Sequence, residues 1–159
     1  MDLSWNRALT GLALALGVAV LAAVAWKGYA MLQINAELVL DTEPCDLHRE
    51  ACRATLADGR AVTLSVTPRP IQMQEWLTLS VTLDGIDATA VAIDFASDEM
   101  YMGYNRPQLE ALGDDRFQGR TVLPVCVANS MTWQAQVLVE SPGGLMVAPF
   151  TFKTWRRQS

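Results

Sequence analysis

The chain has 159 residues, with 12 Lys and Arg, 17 Asp and Glu, a single histidine and a formal net charge of −5. That length accommodates one domain of ordinary size plus an appendage, and the acidic balance argues against nucleic acid as a partner. With one histidine and no G-x-S-x-G, H-E-x-x-H or glycine-rich phosphate loop, catalytic triads, zinc hydrolases and nucleotide enzymes lose their usual parts, and the chain reads as a non-enzyme.

The appendage comes first. "ALTGLALALGVAVLAAVA", residues 8–25, carries no charge over eighteen residues, and at about 1.5 Å per residue such a helix reaches roughly 27 Å, close to the hydrocarbon thickness of a bilayer. Trp5 and Trp26 bracket it, and tryptophan rings favour the headgroup region. Residues 1–26 are therefore expected to form a single N-terminal transmembrane helix. A cleaved signal sequence is the competing reading, since "AVA" at 23–25 offers a small-residue peptidase site. Both readings export the remainder.

Residues 27–52 are expected to act as a tether and cysteine loop, and residues 53–159 as the exported β-domain. "CDLHREAC" places Cys45 and Cys52 close enough for a loop-closing disulfide, the default in an oxidising compartment. A continuous helix there would hold the two Cα atoms about 10 Å apart, beyond disulfide reach. Cys45, His48 and Cys52 would then share a helix face and suit a metal.

Beyond the cysteine loop the pattern turns to strands. "CRATL" and "AVTLSVT" flank "ADGR", a hairpin signal. Period-two alternation puts Val62, Leu64 and Val66 on one face, then Leu77, Leu79, Val81 and Leu83, then Val91, Ile93 and Phe95. In "MTWQAQVLVE", Met131, Trp133, Ala135, Val137 and Val139 share a face. About seven short strands joined by Gly, Asp, Asn and Pro turns read as an immunoglobulin-like antiparallel β-sandwich, with a barrel as the other solution. Asp98, Glu99, Asp114 and Asp115 read as solvated turn residues. The basic "KTWRR" near the C-terminus reads as a solvated tail.

The third cysteine, Cys126, has no partner in this scheme. In "LPVCVANSMTW" a turn at Ala128-Asn129 would set Cys126 opposite Met131 across a hairpin, about 5 Å apart. Met100 and Met102, two residues apart in "EMYMGYNR", share a face if extended. Should the two segments meet, three thioethers and one thiol converge at one end of the domain. Such soft, polarizable ligands favour Cu(I) over oxygen-seeking ions. Plain packing of methionines at a sheet edge, with Cys126 as a small buried hydrophobe, stands beside the metal reading. Asn105 and Arg106 read as loop-locking hydrogen-bonders, with a supporting role toward a metal if one is bound. Trp133 reads as core ballast or as a shield for that metal.

The run from Glu99 to Glu140, with its "MYMGYNR", "LPVCV" and "MTW", resembles an uncharacterised group of membrane-anchored periplasmic proteins of proteobacteria. Its layout is similar to the FixH, YtkA and CopC-like exported β-sandwiches. The resemblance covers most of the exported part in layout and the segment from Met100 to Trp133 in motif. It implies copper handling, with a cytochrome oxidase or another copper-receiving protein as partner, and a single-pass protein of the bacterial inner membrane with its C-terminal domain in the periplasm. The chain departs from those groups in lacking the histidines that Cu(II) sites use, which favours Cu(I). The alternative class is a metal-free assembly module that docks a membrane complex.

Overall fold

The structure is a computed structural model and describes residues 16–24, 38–97, 99, 101, 103–124 and 129–156. The chain divides into two compact units, Met1–Ala36 and Glu37–Ser159. In the first, residues 16–24 are helical, and their large side chains Leu16, Val18, Val20, Leu21 and Val24 are all exposed. Among the described residues no helix is long and apolar enough to cross a membrane.

The second unit is built of ten strands: β1 (Leu38–Val39), β2 (Asp41–Thr42), β3 (Cys52–Thr55), β4 (Ala61–Thr67), β5 (Trp76–Asp84), β6 (Ala90–Ala96), β7 (Gln108–Gly113), β8 (Arg116–Val122), β9 (Ser130–Ser141) and β10 (Gly144–Trp155). The protein is thus mainly β. Hydrogen-bonded neighbours run in the order β1-β10-β9-β6-β7-β8-β5-β4-β3-β2.

Alternating sequence becomes alternating burial. Val62, Leu64 and Val66 of β4 are buried and lie opposite Leu83, Val81 and Leu79 of β5, so apolar residues meet directly across the ladder on one face. The inward sets predicted for β5, β6 and β9 are likewise buried in one core, with Trp133, Phe95 and Phe150 its largest members. The "ADGR" segment closes a tight connection in which Leu56 N–H donates to Arg60 C=O at 2.8 Å and the Asp58 carboxylate accepts from the Arg60 backbone and guanidinium. These bonds hold the Asp58 carboxyl below its usual pKa.

Two segments change ladders partway. In β7, Gln108 and Leu109 pair with β6, whereas Glu110, Ala111 and Gly113 pair with β8 across a bulge. The turn that follows places Gly113, Asp114 and Asp115 at φ of 88°, 53° and 55°, which glycine adopts freely and aspartate tolerates. That conformation is the structural reason for the paired carboxylates there. At the N-terminal end, β1 pairs in parallel with β10 and β2 antiparallel with β3. Leu40, between them, donates its N–H to Val147 C=O at 2.8 Å, and Thr42 Oγ1 donates to Pro149 C=O. The two ends of the strand order therefore belong to one short stretch of chain, and the sheet nearly closes on itself.

Residues 38–52, read from the sequence as part of a tether and cysteine loop, fall within the second compact unit, with Leu40, Leu47 and Cys52 each about 1% exposed. The physical reason is that Leu40 and Leu47 bury their apolar side chains in the core, while Leu38 and Val39 pair through their backbone with β10 and leave their side chains exposed. A second difference concerns connectivity. β8 ladders with β5 and β7, and β9 with β10 and β6, so β8 and β9 are not hairpin partners.

The crossing of β7 depends on Gly119. A Cβ at that position would meet the Leu109 side chain at 3.2 Å and Gln108 C=O at 3.3 Å. Gly119→Ala is expected to destabilise the β-unit by about 1–3 kcal/mol through overpacking, read from the shift of the urea midpoint at unchanged slope.

Candidate functional site

The sequence-predicted sulfur site is visible in part. Met100, Met102 and Cys126 lie outside the described residues. Met131 sits on β9 with 1% exposure, opposite Thr154 of β10. Trp133, two residues on, is fully buried, and its indole N–H donates to Thr154 Oγ1 at 2.9 Å, which satisfies the one polar atom of the ring.

The described residues that flank the sulfurs are tied to the same end of the β-unit. β6 ends at Ala96, opposite Gln134, so the N–H of Thr132 lies beyond the last β6 partner. The Glu99 carboxylate accepts from that N–H at 3.1 Å, and Glu99 N–H donates to Ser97 Oγ at 3.2 Å. Asn105 makes the other attachment. Its C=O accepts from Phe95 N–H at 3.0 Å, its side-chain oxygen accepts from Thr121 Oγ1 at 2.8 Å, and its amide donates to Val122 C=O at 3.3 Å. One asparagine thus joins β6 to the end of β8, just ahead of the segment that carries Cys126. Arg106 reaches Asp94 at 2.7 Å and lies 5.5 Å from the Tyr104 ring centroid; the Asp94 hydrogen bond raises its pKa above the ordinary guanidinium value. Tyr101 and Tyr104 stand 90% and 77% exposed.

The other sequence candidate resolves differently. Cys45 and Cys52 form a disulfide with Cα atoms 5.7 Å apart, because residues 47–49 turn instead of continuing a helix. The helical metal alternative at Cys45, His48 and Cys52 is thereby corrected: both sulfurs are consumed by the bridge. His48 is consumed as well. Its Nδ1 accepts from Ile71 N–H at 3.0 Å, so Nε2 carries the proton and donates to Lys153 C=O at 2.8 Å. The ring ties the disulfide loop to the segment before β5 and to β10. Among the described residues no three His, Cys, Asp or Glu side chains gather as a metal-holding group.

Around His48 lies a cleft of about 540 Å³, lined by Ile71, Phe152 and Trp155 together with Asp46 and Lys153. The His48 ring stands edge-on to Phe152 at 6.1 Å and tilted to Trp155 at 5.9 Å between centroids. Sequence reading missed this feature, and the "KTW" of the expected solvated tail was its one local signal. Comparison of the chain with protein-family models and with curated proteins finds no match.

Two measurements follow. His48→Ala leaves the Ile71 donor and the Lys153 acceptor without their partner and is expected to cost about 1–3 kcal/mol of unfolding free energy. Thiol labelling of the denatured, unreduced chain is expected to modify one of the three cysteines, Cys126, because the other two are bridged; no labelling would place Cys126 in a disulfide and remove it as a thiolate ligand.

Proposed function

We propose that this chain is a membrane-anchored periplasmic protein that binds Cu(I) through Met100, Met102, Cys126 and Met131 and holds or delivers it, with a cytochrome oxidase or another copper-receiving protein as client. The observation that carries the reading is the pair of attachments at Glu99 and Asn105. Glu99 precedes Met100 and is bonded one residue beyond Met131, while Asn105 follows Met102 and is bonded to Val122, four residues before Cys126. The donor set suits the ion: thioethers and a thiolate are soft, and thioethers lose no proton on binding.

The fold reading that goes with this function is an immunoglobulin-like sandwich. It is supported by the strand order, in which β3-β4-β5-β8 and β10-β9-β6 lie on opposite sides of β7 and the chain changes side at the β5–β6 and β8–β9 connections. The anchor is supported by residues 16–24, whose exposed surface is apolar on every side; a helix of that kind belongs in a core or in lipid. Resemblance to the FixH, YtkA and CopC-like groups remains a likeness of layout.

A specific observation favours a second reading. The aromatic cleft at His48, Phe152 and Trp155 is a surface on which a metal-free assembly module would dock a membrane complex, since apolar concavities with a few polar groups are the usual ligand-binding feature.

Titration of the reduced chain with Cu(I) against a competing chelator separates the two. The copper reading expects binding in the parent, clear weakening in Met100→Ala, Met102→Ala and Cys126→Ser, and little change in stability for the first two. Unchanged Cu(I) affinity in all three variants would leave the sulfurs as packing. Protease added to spheroplasts is expected to digest the C-terminal domain, and a mature N-terminus at Trp26 would show that the anchor is cleaved.

A further inference from the structure

We infer that the end of the β-unit carrying Trp76, Tyr104 and Trp155 docks on a phospholipid bilayer surface that contains anionic lipid; the inference is independent of the copper reading. The ladders define the two ends of the unit. At one of them Ala61 pairs with Asp84, Thr82 with Arg116 and Ala90 with Glu140. At the other Trp76 pairs with Val122, Ala96 with Gln134 and Trp155 with Ser130.

The chemistry of the two ends differs. Asp58, Asp84, Asp87, Asp114, Asp115 and Glu140 gather in or beside the turns of the first. Its arginines Arg60, Arg53 and Arg116 are bridged to Asp58, Asp84 and Asp114, so that end is negative. The second end holds every large exposed aromatic side chain of the described residues, with Trp76 64%, Tyr104 77% and Trp155 61% exposed, and Tyr101 beside them. A cation accompanies each of the first three. Arg120 lies 5.1 Å from the Trp76 ring centroid, and Arg106, which also bridges Asp94, lies 5.5 Å from that of Tyr104. Lys153 is exposed on the same face of β10 as Trp155. Carboxylates of this end such as Asp46 and Glu75 are interspersed with Arg49 and Arg69.

Rings with a polar tip, set beside cations, suit the headgroup region of a bilayer. Each Lys or Arg held near an anionic leaflet strengthens the contact about fivefold. Distance keeps the acidic turns from opposing it. The twelve residues of β10 extend about 40 Å at roughly 3.3 Å each, several times the Debye length of about 8 Å at physiological ionic strength. The rings are also spread around the end: they belong to β5, to the β6–β7 connection and to β10, and β5 and β10 are far apart in the strand order. A protein partner favours one central aromatic cluster, whereas a flat lipid surface meets a girdle. The exposed aliphatic side chains Leu38, Val39 and Leu112 lie toward the acidic end, where the carboxylates set them against an anionic surface.

The test uses the full chain labelled with fluorotryptophan in bilayer nanodiscs of phosphatidylcholine and phosphatidylglycerol that carry a lipid spin-labelled at its headgroup. Trp76→Phe and Trp155→Phe assign the two resonances. Docking expects Trp76 and Trp155 to broaden more than the buried Trp133, and more with phosphatidylglycerol than with phosphatidylcholine alone. Combining Arg120→Gln with Lys153→Gln should lower the docked-to-undocked ratio by about 25-fold, and Asp114→Asn with Asp115→Asn should leave it unchanged. No broadening of the two rings, or equal broadening with and without phosphatidylglycerol, would overturn the inference. Protection of both rings from a water-soluble reagent in native membranes, without broadening on the nanodiscs, would assign this end to a protein partner and overturn it as well.

Discussion

The β-unit depends on satisfying backbone hydrogen bonds at the boundaries of its ladders. An open sheet leaves a row of unpaired N–H and C=O groups at each edge, which are costly when buried and hazardous when exposed. Here one short stretch serves both ends. Val39 and Leu40 lie along β10, and Thr42 lies along β3. The switch occurs where β10 carries Pro149, which has no N–H to extend the pairing, and its free carbonyl takes the Thr42 hydroxyl instead. β7 performs the corresponding change between β6 and β8, with Gly119 providing the space.

Because both switching segments are short, their surroundings must hold them. The disulfide shortens the excursion between β2 and β3, while Leu47 anchors its loop in the core. His48 then spends both ring nitrogens on backbone groups of other segments. A residue type usually read as a metal ligand or proton carrier is occupied here as a connector, and the same arrangement sets its ring against Phe152 and Trp155 in the aromatic cleft.

The opposite end uses polar side chains in the same way. Glu99 and Asn105 take up donors and acceptors that the strands leave beyond their paired residues. The chemistry proposed for that end therefore rests on attachments whose first role is to complete a sheet. Met131 and Trp133 show why the motif has two readings, since both are buried in the core and both lie beside those attachments.

Much of the β-unit was legible in the residues. The inward faces of β4, β5, β6 and β9 followed from period-two alternation, which is local and has one solution once a face is buried. Cys45 and Cys52 were legible as a bridge because they are near in sequence and a turn can bring them together. At the candidate site, the sulfurs and Asn105 stood out by residue type, whereas Glu99 read as one more solvated carboxylate because its partner lies 33 residues away. Tertiary structure alone decided which strands are neighbours, that Leu38–Val39 and Asp41–Thr42 join opposite ends of the strand order, and that β8 and β9 part company. It alone decided the role of His48, whose bond to Lys153 spans 105 residues. Local pattern records which side of a strand is apolar; the identity of the backbone group across the gap depends on how the ladders close, and no short stretch of sequence carries that information.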